Sequence, residues 1–171
     1  MRYNDLLKKY QEAIRERNHY RKLSQQDTML QIYNRTTFLA KANEMRAKCN
    51  KKNQRCAILF VDCDNFGLIN KKYGHKMGDE IIKKTTEEIR AVMRSDSIVG
   101  RYGGDEILVF MPNAAYYAAT ACAKRICDHL VENPTVSIGC ASGFETVAEL
   151  LAQAEKKMRR VKKNGGNNYE I

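Results

Sequence analysis

Apolar residues along this chain change their spacing several times, and each change marks an element. Residues 1–26 place Tyr3, Leu7, Tyr10, Ile14 and Arg17 at alternating steps of three and four amid many charges, without Gly or Pro. That spacing predicts a helix with a thin apolar stripe, which either pairs with a second copy as a short coiled coil or lies solvated on the domain. Asp27-Thr28 are placed to cap the next element. After Asn34-Arg35, the residues Phe38, Leu39, Ala42, Met45, Arg46 and Cys49 share one side of a helix that the polar run 51–55 ends. Residues 56–61 are continuously apolar at strand length, which predicts a central strand covered on both faces. A short helix over 66–73 and a break at 74–79 come next, before helical spacing resumes through Met77, Ile81, Ile82, Thr85, Ile89 and Met93.

Between the apolar runs 98–99 and 107–110 stands Gly103-Gly104. Two glycines able to take positive φ predict a two-residue hairpin turn, with Asp105 and Glu106 just past the bend. Residues 114–130 read as an alanine-rich helix with Ala118, Cys122, Ile126 and Leu130 on one side, and 135–140 as a β-branched strand after Pro134. A last helix carrying Val147, Leu150, Leu151, Ala154, Met158 and Val161 ends at Gly165-Gly166. The order of strand, paired helices, hairpin, helix, strand and helix predicts an α+β fold: a ferredoxin-like, polymerase-palm-like antiparallel sheet covered by helices on one or both faces. Residues 1–26 are then expected to form an N-terminal helix, a candidate signalling or dimerisation linker, and 27–171 one domain.

Composition narrows the function classes only a little. A formal charge of +10 favours anionic partners: nucleotides, nucleic acid or an acidic membrane surface. The cysteines at 49, 56, 63, 122, 127 and 140 show no C-x-x-C or zinc-type spacing, so reduced structural thiols in a cytoplasmic protein are expected. No apolar run approaches the roughly 18 to 20 residues of a membrane span, and no stable nucleic-acid or membrane contact is expected. His19 and His129 are expected to be structural or solvent-facing, and His75, between glycines, to order a loop.

The chemistry-bearing residues are acids at two strand ends. Asp62-Cys63-Asp64 closes the run 56–61, and Asp105-Glu106 comes just after the glycine bend. If those ends are neighbours in one sheet, several carboxylates converge, and divalent cations are what makes such a cluster tolerable. A magnesium site for a phosphorylated substrate is the expectation. Arg101 and Tyr102 are read as ion-pairing and packing residues outside the site, and the basic run 156–163 as a solvated helix face apart from Lys162.

Four motifs in order then resemble the GGDEF domains, the diguanylate cyclases: Asp62-x-Asp64-x-Phe66-x-x-x-Asn70, Gly74-His75-x-x-Gly78-Asp79, Arg101-Tyr102-Gly103-Gly104-Asp105-Glu106 and Thr135-Val-Ser-Ile-Gly139. The resemblance implies condensation of two GTP into cyclic di-GMP with release of pyrophosphate, two Mg²⁺ or Mn²⁺ per active site, and a homodimer in which each domain presents one GTP. It implies that Asp62, the Cys63 carbonyl and an acid from the catalytic Asp105-Glu106 pair hold the metals. Asn70 and Asp79 match the guanine-reading positions, the amides around Asn65 and Phe66 those that cradle terminal phosphates, and Lys162 a phosphate-facing cation.

The chain also departs from the family pattern. Gly67 stands where a lysine is usual, Gly166 where an arginine is usual, and Ile107 replaces the closing Phe. The D-x-L-T signature is reduced to Asp27-x-Met29-Leu30, and Ser97 replaces the aspartate of an inhibitory Arg-x-x-Asp that begins at Arg94. Two other readings fit the same residues: a degenerate GGDEF module that binds GTP or a partner without turnover, and a compact palm-type cyclase, like the minimal CRISPR polymerases, making a different cyclic nucleotide.

Overall fold

The computed structural model describes residues 3–130 and 134–170, with the backbone alone for 3–6, 18–19 and 21–23, so the readings of the Tyr3 and His19 side chains lie outside the described residues. In chain order the elements are α1 (Tyr3–Gln25), α2 (Arg35–Lys51), β1 (Cys56–Cys63), α3 (Phe66–Tyr73), α4 (His75–Val92), β2 (Ile98–Gly103), β3 (Glu106–Met111), α5 (Tyr116–His129), β4 (Val136–Gly143), α6 (Val147–Lys163) and β5 (Asn168–Glu170). The strands form one sheet in the order β2-β3-β1-β4-β5. All neighbours run antiparallel except β4 and β5, which are parallel. The sheet is therefore mixed, because the predominantly antiparallel α+β core has gained β5, a strand too short for periodicity in the sequence to reveal.

Every residue of β1 is buried, as its continuous apolar run requires of a strand covered on both faces. Alternation then sorts the sheet into two cores. Ala57, Leu59, Val61, Ile107, Val109 and Ile138 pack with α4 and α5 through Ile82, Ile89, Ala123 and Ile126. Ile58, Phe60, Leu108 and Phe110 pack with α2 and α6 through Phe38, Ala42, Leu150, Ala154 and Met158.

Helix starts obey local chemistry. Asn34, not Asp27, caps α2, its side chain accepting from the Thr37 amide at 3.0 Å, while Asp27 closes the turn to Met29 and Leu30. Thr146 and Glu149 form a capping box on α6. The expected break at 74–79 narrows to Gly74, whose φ of 83° separates α3 from α4. On α1, Leu7 and Tyr10 stand exposed, so these two stripe residues are not packed on the domain.

Helix α6 sits on β4 without a side chain between them at one point. A Cβ on Gly139 would stand 1.9 Å from the Ala154 carbonyl oxygen and 2.3 Å from the Met158 amide nitrogen. Backbone cannot yield there as a flexible side chain would, so Gly139→Ala is expected to lower stability by about 1–3 kcal/mol. Urea unfolding checks this; an unchanged midpoint would show that α6 is not seated on β4 in this way.

Candidate active site

The antiparallel register of β1 on β3 runs from Ala57 opposite Met111 to Asp62 opposite Glu106, so the apolar ladder ends on a pair of acids. The bend differs from the expected one. Gly103 is already paired with Glu106, which leaves Gly104 and Asp105 as the loop residues, and only Gly104 takes positive φ, at 49°. An irregularity between Arg101 and Gly103 produces this shift. Asp105 thus lies in the turn rather than past it. Arg101 braces that turn, donating from Nε and Nη2 to the Gly104 carbonyl at 2.9 and 2.7 Å while its Nη1 pairs with Asp27 at 2.9 Å. Tyr102 packs edge-on against Phe60 under the Arg35 guanidinium, away from the acids.

The cluster is electrostatically strained and internally compensated. Asp62 is only 6% exposed; burial first, and contact with Asp105 after it, push its carboxyl up to about 7 against the opposing pull of Lys162. The Lys162 ammonium pairs directly with Asp62 Oδ1. Burial works against the charged lysine, but Asp62, Asp105 and Asp64 outweigh it and hold its proton more tightly than usual. Glu106 is raised as well, by burial and then by the charges of Asp105 and Glu155, with Arg159 and Lys162 in opposition. Glu155 and Arg159, joined by contacts of 2.6 and 3.1 Å, add their charges at this edge while Arg159 stays exposed, in keeping with a solvated face over 156–163; the basic residue that departs from it besides Lys162 is Lys157, whose Nζ donates to the Cys140 carbonyl at 2.9 Å. The sequence does carry a signal for Glu155 and Arg159: on α6, positions 155, 159 and 162 keep the same-face spacing of four and three.

Beside the acids opens a cleft of about 650 Å³, lined by Cys63, residues 64–68, Asp105, Lys162, Gly165 and Gly166. Asn65, at the head of α3, takes a left-handed conformation with φ 58°, the kind of turn that gathers successive backbone N–H groups into an anion-binding concavity. Asn70, in the second turn of α3, has a buried Oδ1 without a hydrogen-bond partner among the described residues. Gly78 lets α4 approach there, since a Cβ would stand 2.0 Å from that oxygen and 3.1 Å from Phe66. Asp79, next in α4, is exposed, as is His75.

Asp64 is occupied by the fold itself. It accepts from Thr135 Oγ1 at 2.8 Å, Ser137 Oγ at 2.6 Å and the Asn167 amide at 2.8 Å, tying β1 to β4 and to the loop after α6. That clamp explains Gly166: its φ is +72°, and a Cβ would lie 2.7–2.9 Å from the Asp64 carboxylate. A Cβ at Gly67, by contrast, meets nothing within 4 Å.

Among the described residues no three acidic, His or Cys side chains converge into a ready-made metal cage. The donors nonetheless suit Mg²⁺ or Mn²⁺, which are held by one or two carboxylates together with substrate phosphates rather than by closed protein cages. The Cys63 thiol is turned into the core toward Thr85 Oγ1 at 3.8 Å, which leaves its backbone carbonyl as the group on offer. The other cysteines are also unpaired thiols. A second cavity, of about 450 Å³, lies away from the acids between residues 26–33 and 90–99. There Arg94 pairs with Asp96 at 2.6 Å, and Ser97 Oγ is buried without a partner among the described residues. His129 faces Glu88 at 3.1 Å on the surface. No described helix is long and apolar enough to cross a membrane.

Comparison with known proteins gives this geometry a family. The family model for the diguanylate cyclase GGDEF domain matches residues 24–168. The chain is 28% identical over 177 residues to the probable diguanylate cyclase DgcC of Escherichia coli K12, covering 95% of this chain and 48% of that protein. It is 32% identical over 134 residues to diguanylate cyclase A of Treponema denticola, covering 71% of this chain and 36% of that protein. The chain thus spans about half or less of the length of these curated relatives. Its fold matches the coiled coil and GGDEF domain of DgcB from Caulobacter crescentus, a crystal structure in complex with c-di-GMP, with a TM-score of 0.87 at 21% identity, covering 97% of this chain and 96% of that one. Taken with the acids at the β1–β3 end, the match over most of its length means that this chain belongs to the GGDEF domain family of diguanylate cyclases.

Proposed function

We propose that this chain condenses two GTP molecules into cyclic di-GMP as a homodimer, each copy presenting one nucleotide. The observation that carries the reading is the strand pairing of Asp62 with Glu106, next to Asp105 and a cleft whose far side offers backbone amides and Lys162. Divalent ions held by Asp62, the Cys63 carbonyl and an acid of the Asp105-Glu106 pair would neutralise the reacting phosphate and the departing pyrophosphate. The remaining work falls to the chain. Asn70 and Asp79 read the guanine edge, Asp79 accepting from its N–H donors. The amides around Asn65 and Phe66 and the Lys162 ammonium hold the terminal phosphates. An acid of the hairpin receives the proton of the attacking 3′-hydroxyl; the new bond joins that oxygen to the α-phosphorus as the bond to pyrophosphate breaks, and the step runs once for each nucleotide. Exposed Leu7 and Tyr10 on α1 are suited to pairing two copies.

A second reading has its own support. Gly67 and Gly166 contribute no cation to the cleft, so a module that binds GTP without turning it over is the alternative.

Incubation with GTP and Mg²⁺ or Mn²⁺, with products identified by mass, separates the two. Cyclic di-GMP is expected from the wild type and a loss of at least about a hundredfold from Asp105→Ala or Glu106→Ala, in the range for removing a group that acts on developing charge. GTP binding with no product under either metal would select the binding module. Because metal ligation requires an ionised carboxylate and Asp62 is pushed up to about 7, Mn²⁺ affinity is expected to rise as pH increases through neutrality. The stability sign is opposite. The folded protein holds the Asp62 proton more tightly than the unfolded chain does, so the wild type is expected to lose stability relative to Asp62→Asn as pH rises from 3.8 to about 7. Thermal melts of both proteins across that window check the sign.

The two missing cations are not equally restorable. Gly67→Lys has open space and is expected to tighten GTP binding about tenfold by adding a charge-assisted phosphate contact. Gly166→Arg is expected to gain nothing and to lower the melting temperature, since its Cβ meets Asp64 in a strained conformation. Calorimetric titration with a non-hydrolysable GTP analogue compares them.

A further inference from the structure

Helix α6 turns two cations toward the acids, and they are held differently. Arg159 is anchored by Glu155 through both Nε and Nη2, and feels Glu106 and Asp62 only at longer range. Lys162 has no such anchor on its own helix; its ammonium pairs with Asp62 Oδ1, on a carboxylate that is otherwise buried against Asp105. That carboxylate is also the one that the proposed reading offers to a metal. A divalent ion and an ammonium in contact with one carboxylate group repel each other, so the two are alternative occupants. Removing the lysine without a replacement would leave crowded, buried carboxylates uncompensated.

We propose that Lys162 is a tethered counter-cation that closes the acid site in the nucleotide-free protein and is exchanged for a divalent ion only as a polyphosphate enters the cleft. This rests on the reading of Asp62 as a metal ligand. The same lysine lines the cleft together with Phe66, Gly67 and Gly166, where it is the side-chain cation among the described lining residues. Its flexible four-carbon stem allows the ammonium to leave Asp62 without movement of α6. A displaced ammonium finds a new anion only when phosphates are present, so metal and nucleotide assist each other's binding, with the reciprocity that linkage requires. The absence of a cationic side chain at 67 and 166 makes this exchange the main source of positive charge at the phosphate end. Lys162 thus determines the order of assembly as well as contacting substrate.

The test is Mn²⁺ binding to the full chain, read from the free-ion electron paramagnetic resonance signal without nucleotide. At a pH well above neutrality, where Asp62 is ionised in both proteins, Lys162→Met is expected to bind Mn²⁺ about tenfold more tightly than the wild type, because the competent fraction with Asp62 free is no longer limited by the lysine. Arg159→Met removes the same charge from the same helix face and is expected to change the affinity by less than about threefold, as befits a screened, more exposed group. Equal tightening in both variants would overturn the exchange, since general electrostatics would then suffice. Mn²⁺ bound equally by wild type and Lys162→Met would overturn the exchange while leaving the metal reading intact; no Mn²⁺ bound by any form, even with a GTP analogue present, would remove both. A wild-type measurement guards against a variant that folds poorly. Acylation footprinting by mass spectrometry is expected to find Lys162 protected in the free protein, reactive with saturating Mn²⁺ alone, and protected again when a non-hydrolysable GTP analogue is added. Reactivity that does not respond to Mn²⁺ would overturn the proposal.

Discussion

Everything at this site depends on a register: two hydrophobic strands zip together until their last pair is Asp62 opposite Glu106. Two unit charges 4 Å apart at the effective dielectric of a protein surface repel by about 4 kcal/mol. Complete burial of a single large apolar side chain is worth about 1.5–3 kcal/mol, and β1 and β3 between them contribute Ile58, Leu59, Phe60, Ile107, Leu108 and Phe110 to the fully buried set. The apolar ladder therefore wins, and the acids are forced together at its end. Burial there, with the charge of Asp105 adding to it, raises the proton affinity of Asp62 and Glu106, and the Lys162 ammonium pairs with Asp62.

Helix α6 matters because it carries the compensating charge, and its placement is set far from that charge. The capping box at Thr146 starts it, the close approach at Gly139 seats it on β4, and Leu150, Ala154 and Met158 hold its inner face in the core. The face that then meets the strand end bears Glu155, Arg159 and Lys162. At its far end Asp64, which lines the cleft, draws the adjoining loop back onto the sheet through the Asn167 amide. Asp62 and Asp64, two residues apart, thus have different work: one faces the acids of the hairpin, the other holds the chain in shape.

Membership of the GGDEF family accounts for the architecture and for the pattern of acids, but this chain balances its charges in its own way. Where a lysine and an arginine are usual, it has one glycine with open space around it and another pressed against a carboxylate. The positive side-chain charge that lines the cleft among the described residues is consequently concentrated on the last turn of one helix, at Lys162. Arg101 supports the same economy from the other side, fixing the glycine turn through the Gly104 carbonyl without entering the cleft.

Much of this was legible in the residues alone. Continuous apolarity at 56–61 determined a doubly covered strand, the three-and-four spacing at 147–161 determined a helix with one buried face, and the acids at the end of β1 and at the glycine bend marked the candidate site. Such features are local, because side-chain periodicity and turn chemistry act within a few residues. What only the tertiary structure decided depends on groups distant in sequence meeting in space: the turn shifted onto Gly104-Asp105, the three-residue β5, Asp64 bound to Thr135, Ser137 and Asn167, and the Lys162–Asp62 pair across a hundred positions. Charge compensation is a property of distance, and spacing along a chain does not contain it.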